Sequence, residues 1–157
     1  MRSANRPAYA TTTTRSGRGD PALAAALRVV GAALLGTMAG IHLHLYNLGF
    51  RSVPKIGPSF MLNAVLGAVF AVALLVTPRR WLALASLAGA GLLAGTLAAL
   101  VISLTVGLFD FHETLQAPLI WPTIAVEGGG ALLLLGYAIG DGWPRLRAWR
   151  GDRAAHR

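Results

Sequence analysis

The sequence predicts an all-α polytopic membrane protein, with four transmembrane helices in an up-down-up-down bundle and both termini cytoplasmic. Three observations carry that prediction. Apolar residues make up 55% and charged residues 13% of the 157 positions, against about 25% charged in soluble domains, and the mean hydropathy is +0.58. The apolar residues gather in four runs, 22–48, 59–77, 81–109 and 119–140, each long enough at 1.5 Å per residue to cross a ~30 Å hydrocarbon core. Most of the basic residues, finally, fall on one side of such a bundle.

The elements follow in order. Residues 1–21, with RSANRPAYATTTTRSGRGDP, are polar, rich in Thr, Gly and Pro and without periodicity, and are expected to be a disordered basic tail holding Arg2, Arg6, Arg15 and Arg18. The first span, about 24–46, is interrupted only by Arg28, His42 and His44. A competing reading makes Val29–Gly36 the apolar core of a signal peptide cleaved after Thr37-Met38-Ala39. Against it, the apolar run continues through Ile41, Leu43, Leu45 and Leu48. A Gly/Pro-rich connection, 47–58, carries Arg51 and Lys55 and leads into the second span, 59–77. A tight turn at Pro78 with Arg79 and Arg80 leads into the third, 81–107. The connection 108–118 holds Asp110 and Glu113 and no Lys or Arg, and the fourth span, 119–140, ends in a basic tail, 141–157, with Arg145, Arg147, Arg150, Arg153 and Arg157. This distribution of a net charge of +8 is a topology signal, and it gives no reason to expect nucleic acid as a partner. Trp143 and Trp149 would help the tail hold anionic headgroups of the lipid bilayer.

Short connections force neighbouring spans to pack antiparallel. Small residues at i, i+4 spacing, the GxxxG type of pattern, mark the faces expected to pack: Ala32, Gly36, Gly40 and His44 on the first helix, Asn63, Gly67 and Ala71 on the second, Gly91, Gly95, Ala99, Ser103 and Gly107 on the third, Thr123, Glu127 and Ala131 on the fourth.

These lines carry polar groups towards one end. With Tyr46, Pro58, Gly107 and Trp121 as boundary markers and 1.5 Å per residue, His44 lies roughly 3 Å, His42 and Ser103 roughly 6 Å, Asn63 about 7 to 8 Å and Glu127 about 9 Å inside the outer boundary. A carboxylate at mid-helix costs about 2.5 to 3.5 kcal/mol to insert, so Glu127 needs a partner, with His44, His42, Asn63, Arg51 and Lys55 as candidates. The glycines after it, Gly128 to Gly130, either let a neighbouring helix press close or weaken the helix until it unwinds.

His42 and His44 point about 200° apart on a helix. His44, on the glycine line, is expected to face inward and His42 a groove or a partner subunit. A looser metal site would combine His44 and Glu127 with Asp110, His112 and Glu113 from GLFDFHETL. The ligands of a bis-histidine haem and the Glu-x-x-His pairs of a di-iron site are missing, and with no cysteine no thiolate site exists, so no cofactor is expected. GAGLLAG at 89–95 lacks the strand and lysine of a phosphate loop and reads as a packing surface. There is no Walker motif, nucleophile elbow or HExxH.

The two halves look alike. Each has an LGF or GLFDF corner, a proline opening the return helix, and a polar residue five positions on: Pro58 to Asn63 and Pro122 to Glu127. This pattern is consistent with a 2+2 repeat of helical hairpins.

GIHLHLYNLGFRSVPKIGPSFMLNAV followed by GLFDFHETL resembles the small four-helix integral membrane proteins of high-GC Gram-positive bacteria, a group without an assigned activity. The resemblance spans roughly 23–140 and implies a four-helix fold in the plasma membrane. It implies no catalytic residue, and it places a basic side chain at the position of His112 in many members, against a metal role there. Three function classes remain. The leading expectation is a structural or accessory membrane protein, as a homo-oligomer or a subunit of a larger membrane complex. The alternative is an oligomeric binding or transport protein with Glu127, His44 and Asn63 lining a pocket for a proton, metal ion or amphipathic molecule such as a quinone. The third is a membrane enzyme using Glu127 and a histidine as acid and base.

Overall fold

The computed structural model describes residues 21–142. The basic tails, with Trp143 and Trp149, lie outside the described residues. Within them the chain forms α1 (Pro21–Leu48), α2 (Ile56–Val76), α3 (Leu82–Thr105) and α4 (Ile120–Tyr137), with 3-10 turns at Phe50–Ser52 and Arg79–Trp81 and one wide π turn, Ala138–Gly142, continuing α4. No strand occurs among the described residues. All four helices are long and apolar enough to cross a membrane. Their outward faces carry exposed Val29, Val65, Val69, Val72, Val76 and Leu132, which is what a lipid-facing surface requires and a water-facing one would not tolerate.

The helices stand in a ring. α1 packs most extensively on α2 and α3 on α4, as two hairpins, while α1 with α4 and α2 with α3 close the circle; α1 and α3 touch slightly across the centre. The middle is filled by Leu35, Met38, Leu74, Leu93 and Leu134, all essentially inaccessible. Each helix makes room for these side chains with one glycine. A β-carbon on Gly31 would come within 2.6 Å of Leu74, on Gly67 within 2.9 Å of Met38, on Gly89 within 3.0 Å of Leu134, and on Gly130 within 2.7 Å of Leu93.

The small-residue lines therefore work on some faces and fail on others. Asn63, Gly67 and Ala71 do face the bundle, and Gly67 seats against α1. On α1, however, the buried face is Ala24, Leu27, Gly31, Leu35, Met38 and His42, spaced three and four apart. Gly36, Gly40 and His44 lie on the outside, as do Gly91 and Gly95 on α3. The reason is that large knobs, not small residues, occupy the centre, and each knob needs only one gap opposite it. The glycine triplet follows the same rule: α4 runs unbroken through it, Gly130 packs closely, Gly128 makes ordinary contact with Leu97, and Gly129 faces open space.

Two end effects complete the frame. Arg28, the one cation within α1, donates to the Leu75 carbonyl at 2.9 Å. That oxygen belongs to the last turn of α2, where no helical N–H remains to meet it. α1 also runs continuously through Thr37–Ala39, and Met38 and Ala39 are buried in the bundle, so cleavage there would remove core-forming residues.

Candidate polar cavity at the loop end

The connections 49–55 and 106–119 share one end of the bundle, the end opposite the Pro78 turn. Both return helices begin there at a non-glycine residue of positive φ. Lys55 before α2 (φ 66°, ψ −41°) centres a γ-turn closed by the Ile56 amide on the Pro54 carbonyl at 2.8 Å, and Leu119 before α4 (φ 62°, ψ 11°) is left-handed. Four residues on, a hydroxyl donates back to its carbonyl: Ser59 to Lys55 at 2.7 Å and Thr123 to Leu119 at 2.8 Å. Four residues further stand Asn63 and Glu127. The i, i+4, i+8 geometry puts each hydroxyl and its polar successor on one face, and the two faces border one cavity from opposite sides of the ring.

Between them lies a cavity of about 90 Å³ lined by His42, Asn63, Thr96, Ser103, Thr123 and Glu127, with Glu113 and the rings of Phe50, Phe60 and Phe111 towards the loops. Phe109 (φ 53°) and Asp110 (φ 64°) add two more residues of positive φ, each costing about 1 to 3 kcal/mol of backbone strain. All non-glycine residues with positive φ among the described residues therefore belong to the two connections at this end. Lys55 ties them together, its Nζ 5.3 Å from the centre of the Phe109 ring.

Glu127 is 1% exposed, and neither of its carboxylate oxygens has a hydrogen-bond partner. The nearest charged or basic group is His42, whose Nε2 stands 3.8 Å from Oε1, too far for a hydrogen bond. His42 is itself fixed: Nδ1 lies 3.0 Å from the Met38 carbonyl, and the ring meets Phe60 edge-on at 5.3 Å between centroids. Phe50 packs on Phe60 and on Phe111 at 5.0 and 5.7 Å, joining both connections in one aromatic cluster. Thr96 donates to the Leu93 carbonyl at 2.9 Å; its hydroxyl is also close enough to interact with the Glu127 carboxyl, and it can turn its single proton there only by giving up the Leu93 bond.

The structure thus brings together His42, Asn63, Ser103 and Glu127. It reverses the expected roles of the two histidines: His42 is buried beside Glu127, and His44, two residues on, is exposed on the outer surface. His42 continues the Leu35–Met38 face, and the line of small residues that favoured His44 turns out to face outward. The proposed metal grouping of His44, Glu127, Asp110, His112 and Glu113 is not assembled. Asp110 and His112 are exposed in the loop, and no group of three or more His, Asp or Glu able to hold a metal converges among the described residues. His112 instead lies over Gly107, where φ is +86° and a β-carbon would sit 2.5 Å from the ring. Glu113 borders the cavity, its amide donating to the Ser103 carbonyl at 3.1 Å and its Oε1 accepting from the Thr114 amide. Sequence reasoning overlooked Thr96 and Phe60. Thr96 had a legible signal, two helical turns before Ser103 on the same face.

No protein-family model matches the chain, and neither the curated proteins nor the solved structures give a match.

Proposed function

We propose that the chain is a membrane-embedded binding protein, placed in the plasma membrane with both termini inside, whose cavity takes up a small solute from the outer side. One observation carries the reading: Glu127 is buried with both carboxylate oxygens unpartnered, beside a cavity. A buried acceptor without a donor costs about 1 to 3 kcal/mol, more when charged. A residue serving packing alone gains nothing from that, because an apolar side chain of its size would fill the site more stably. The cavity size narrows the solute. About 90 Å³ equals roughly three waters at ~30 Å³ each, less than the ~150 Å³ in which a benzene ring has been accommodated. That size favours a small solute over a bulky head such as a quinone.

The test compares wild type with Glu127→Gln, both purified in mild detergent. Mass spectrometry and elemental analysis are read beside thermal stability. The reading expects a small solute that co-purifies with, or saturably stabilises, the wild type and not the variant, while the variant keeps its helicity. If no solute distinguishes the two proteins, Glu127 is a packing or assembly residue and the accessory-protein reading replaces this one.

A further inference from the structure

The chemistry of the cavity wall specifies its ligand more closely, provided the binding reading above holds. A backbone carbonyl only accepts, so His42 Nδ1, 3.0 Å from the Met38 oxygen, carries the proton of the neutral ring. Nε2 then presents a lone pair. It faces Glu127 Oε1 at 3.8 Å, which also offers only lone pairs when ionised. With Glu127 ionised, two acceptors confront each other with no hydrogen between them, and only a proton or a bound donor relieves the clash.

The hydroxyls add to the imbalance. Thr96 and Thr123 direct their protons to the Leu93 and Leu119 carbonyls at 2.9 and 2.8 Å, and Ser103 directs its proton towards the Phe111 carbonyl at 3.4 Å. Each oxygen keeps only lone pairs for the cavity. The Ser59 hydroxyl is likewise spent on the Lys55 carbonyl, which leaves the Asn63 amide as the lining side chain with uncommitted N–H donors. Charge points the same way. Glu113 and Glu127 border the cavity, and among the described residues lining it none is Lys or Arg, in a chain of net charge +8. Phe50 and Phe60 line the cavity as well, and aromatic rings are a wall that tolerates cations.

We infer that the cavity binds an ammonium-type cation, either the ammonium ion or a short primary ammonium group, through N–H donors shared between Glu127 Oε1 and His42 Nε2. Its tetrahedral donors match an acceptor-rich wall, its charge neutralises Glu127, and one or two heavy atoms fit a space of about three waters. A primary ammonium has two sources at this depth, a free amine or the headgroup of an aminolipid.

Potassium is the decisive control, having the same charge and a similar size without an N–H. The detergent-purified full chain is titrated with ammonium, methylammonium, potassium and tetramethylammonium chlorides at constant ionic strength, reading the unfolding midpoint and heat of binding. The expected result is saturable stabilisation by ammonium or methylammonium at concentrations at least tenfold below any potassium effect, and loss of that preference in Glu127→Gln. Nanodiscs of ethanolamine lipid compared with choline lipid, whose headgroup has no N–H, identify a headgroup source if the free amines are silent and the ethanolamine lipid alone stabilises. Equal responses to potassium and ammonium would overturn the assignment, as would a stronger response to neutral donors such as formamide. A formamide response would leave the binding reading standing, whereas silence towards every solute and lipid would remove both.

Discussion

Glu127 and His42 form a pair in which neither member completes the other. At 3.8 Å they neither hydrogen-bond nor exclude a third group, and Glu127 contributes an unmet acceptor to the interior. Removing that burden has a definite sign. Glu127→Met, of similar volume, is expected to raise the stability of detergent-solubilised protein by about 1 kcal/mol or more, seen as a higher unfolding midpoint. A lower midpoint would mean that the carboxylate has a structural partner. The histidines give a second contrast. His42→Ala opens a hole beside Phe60 and is expected to cost about 1 to 3 kcal/mol, whereas His44→Ala, on the exposed surface, should stay within about 0.5 kcal/mol. Equal losses at both positions would contradict the burial of one and the exposure of the other.

The helices show which small residues hold the bundle. Gly67→Ala would place its methyl 3.0 Å from both the Ala39 β-carbon and the Leu35 carbonyl oxygen. The oxygen belongs to the α1 backbone, so α1 and α2 would have to separate, at about 1 to 3 kcal/mol. Gly36→Ala meets nothing within 4 Å and should stabilise by up to about 1 kcal/mol through helix propensity. Opposite signs in thermal unfolding are the expected outcome for two glycines that look the same in the sequence. That ambiguity marks the limit of what was legible. Helix number and the shared depth of Asn63, Ser103 and Glu127 could be read, because hydropathy and rise per residue fix them; the connection expected at 47–58 is shorter, since α1 runs to Leu48 and α2 begins at Ile56. The face of α1 could not be read, because Gly36-Gly40-His44 and Leu35-Met38-His42 are both regular helical lines. Deciding between them needs the partner surfaces, where Leu74, Leu93 and Leu134 claim the centre. The positive φ of Lys55 and Leu119 was invisible for another reason: neither residue type favours it, so only the tertiary frame imposes it.

At the scale of the molecule, the polar groups, the strained residues and the aromatic cluster all gather at one end, and the opposite end is a short turn. The side of the membrane this end faces decides where its ligand comes from. Arg79 and Arg80 flank the Pro78 turn, while connection 106–119 has Asp110 and Glu113 and neither Lys nor Arg. Arg51 and Lys55 at the cavity end match Arg79 and Arg80 in number, so the bias comes from the basic tails, Arg2 to Arg18 and Arg145 to Arg157, and the positive-inside rule then predicts the turn inside and the cavity outside. The absence of cysteine makes the point directly measurable, since one introduced thiol is the only thiol present. Pro78→Cys and Gln116→Cys both fall at exposed positions and leave every charge in place. With a membrane-impermeant maleimide on intact cells, Gln116→Cys is expected to react at once and Pro78→Cys only after permeabilisation. The reverse pattern would turn the cavity towards the cytoplasm. Glu127 would still be an unpaired carboxylate beside a cavity, but its solute would be drawn from inside the cell, and the outer-side part of the binding reading would fall while the acceptor count at His42 and Glu127 stood unchanged.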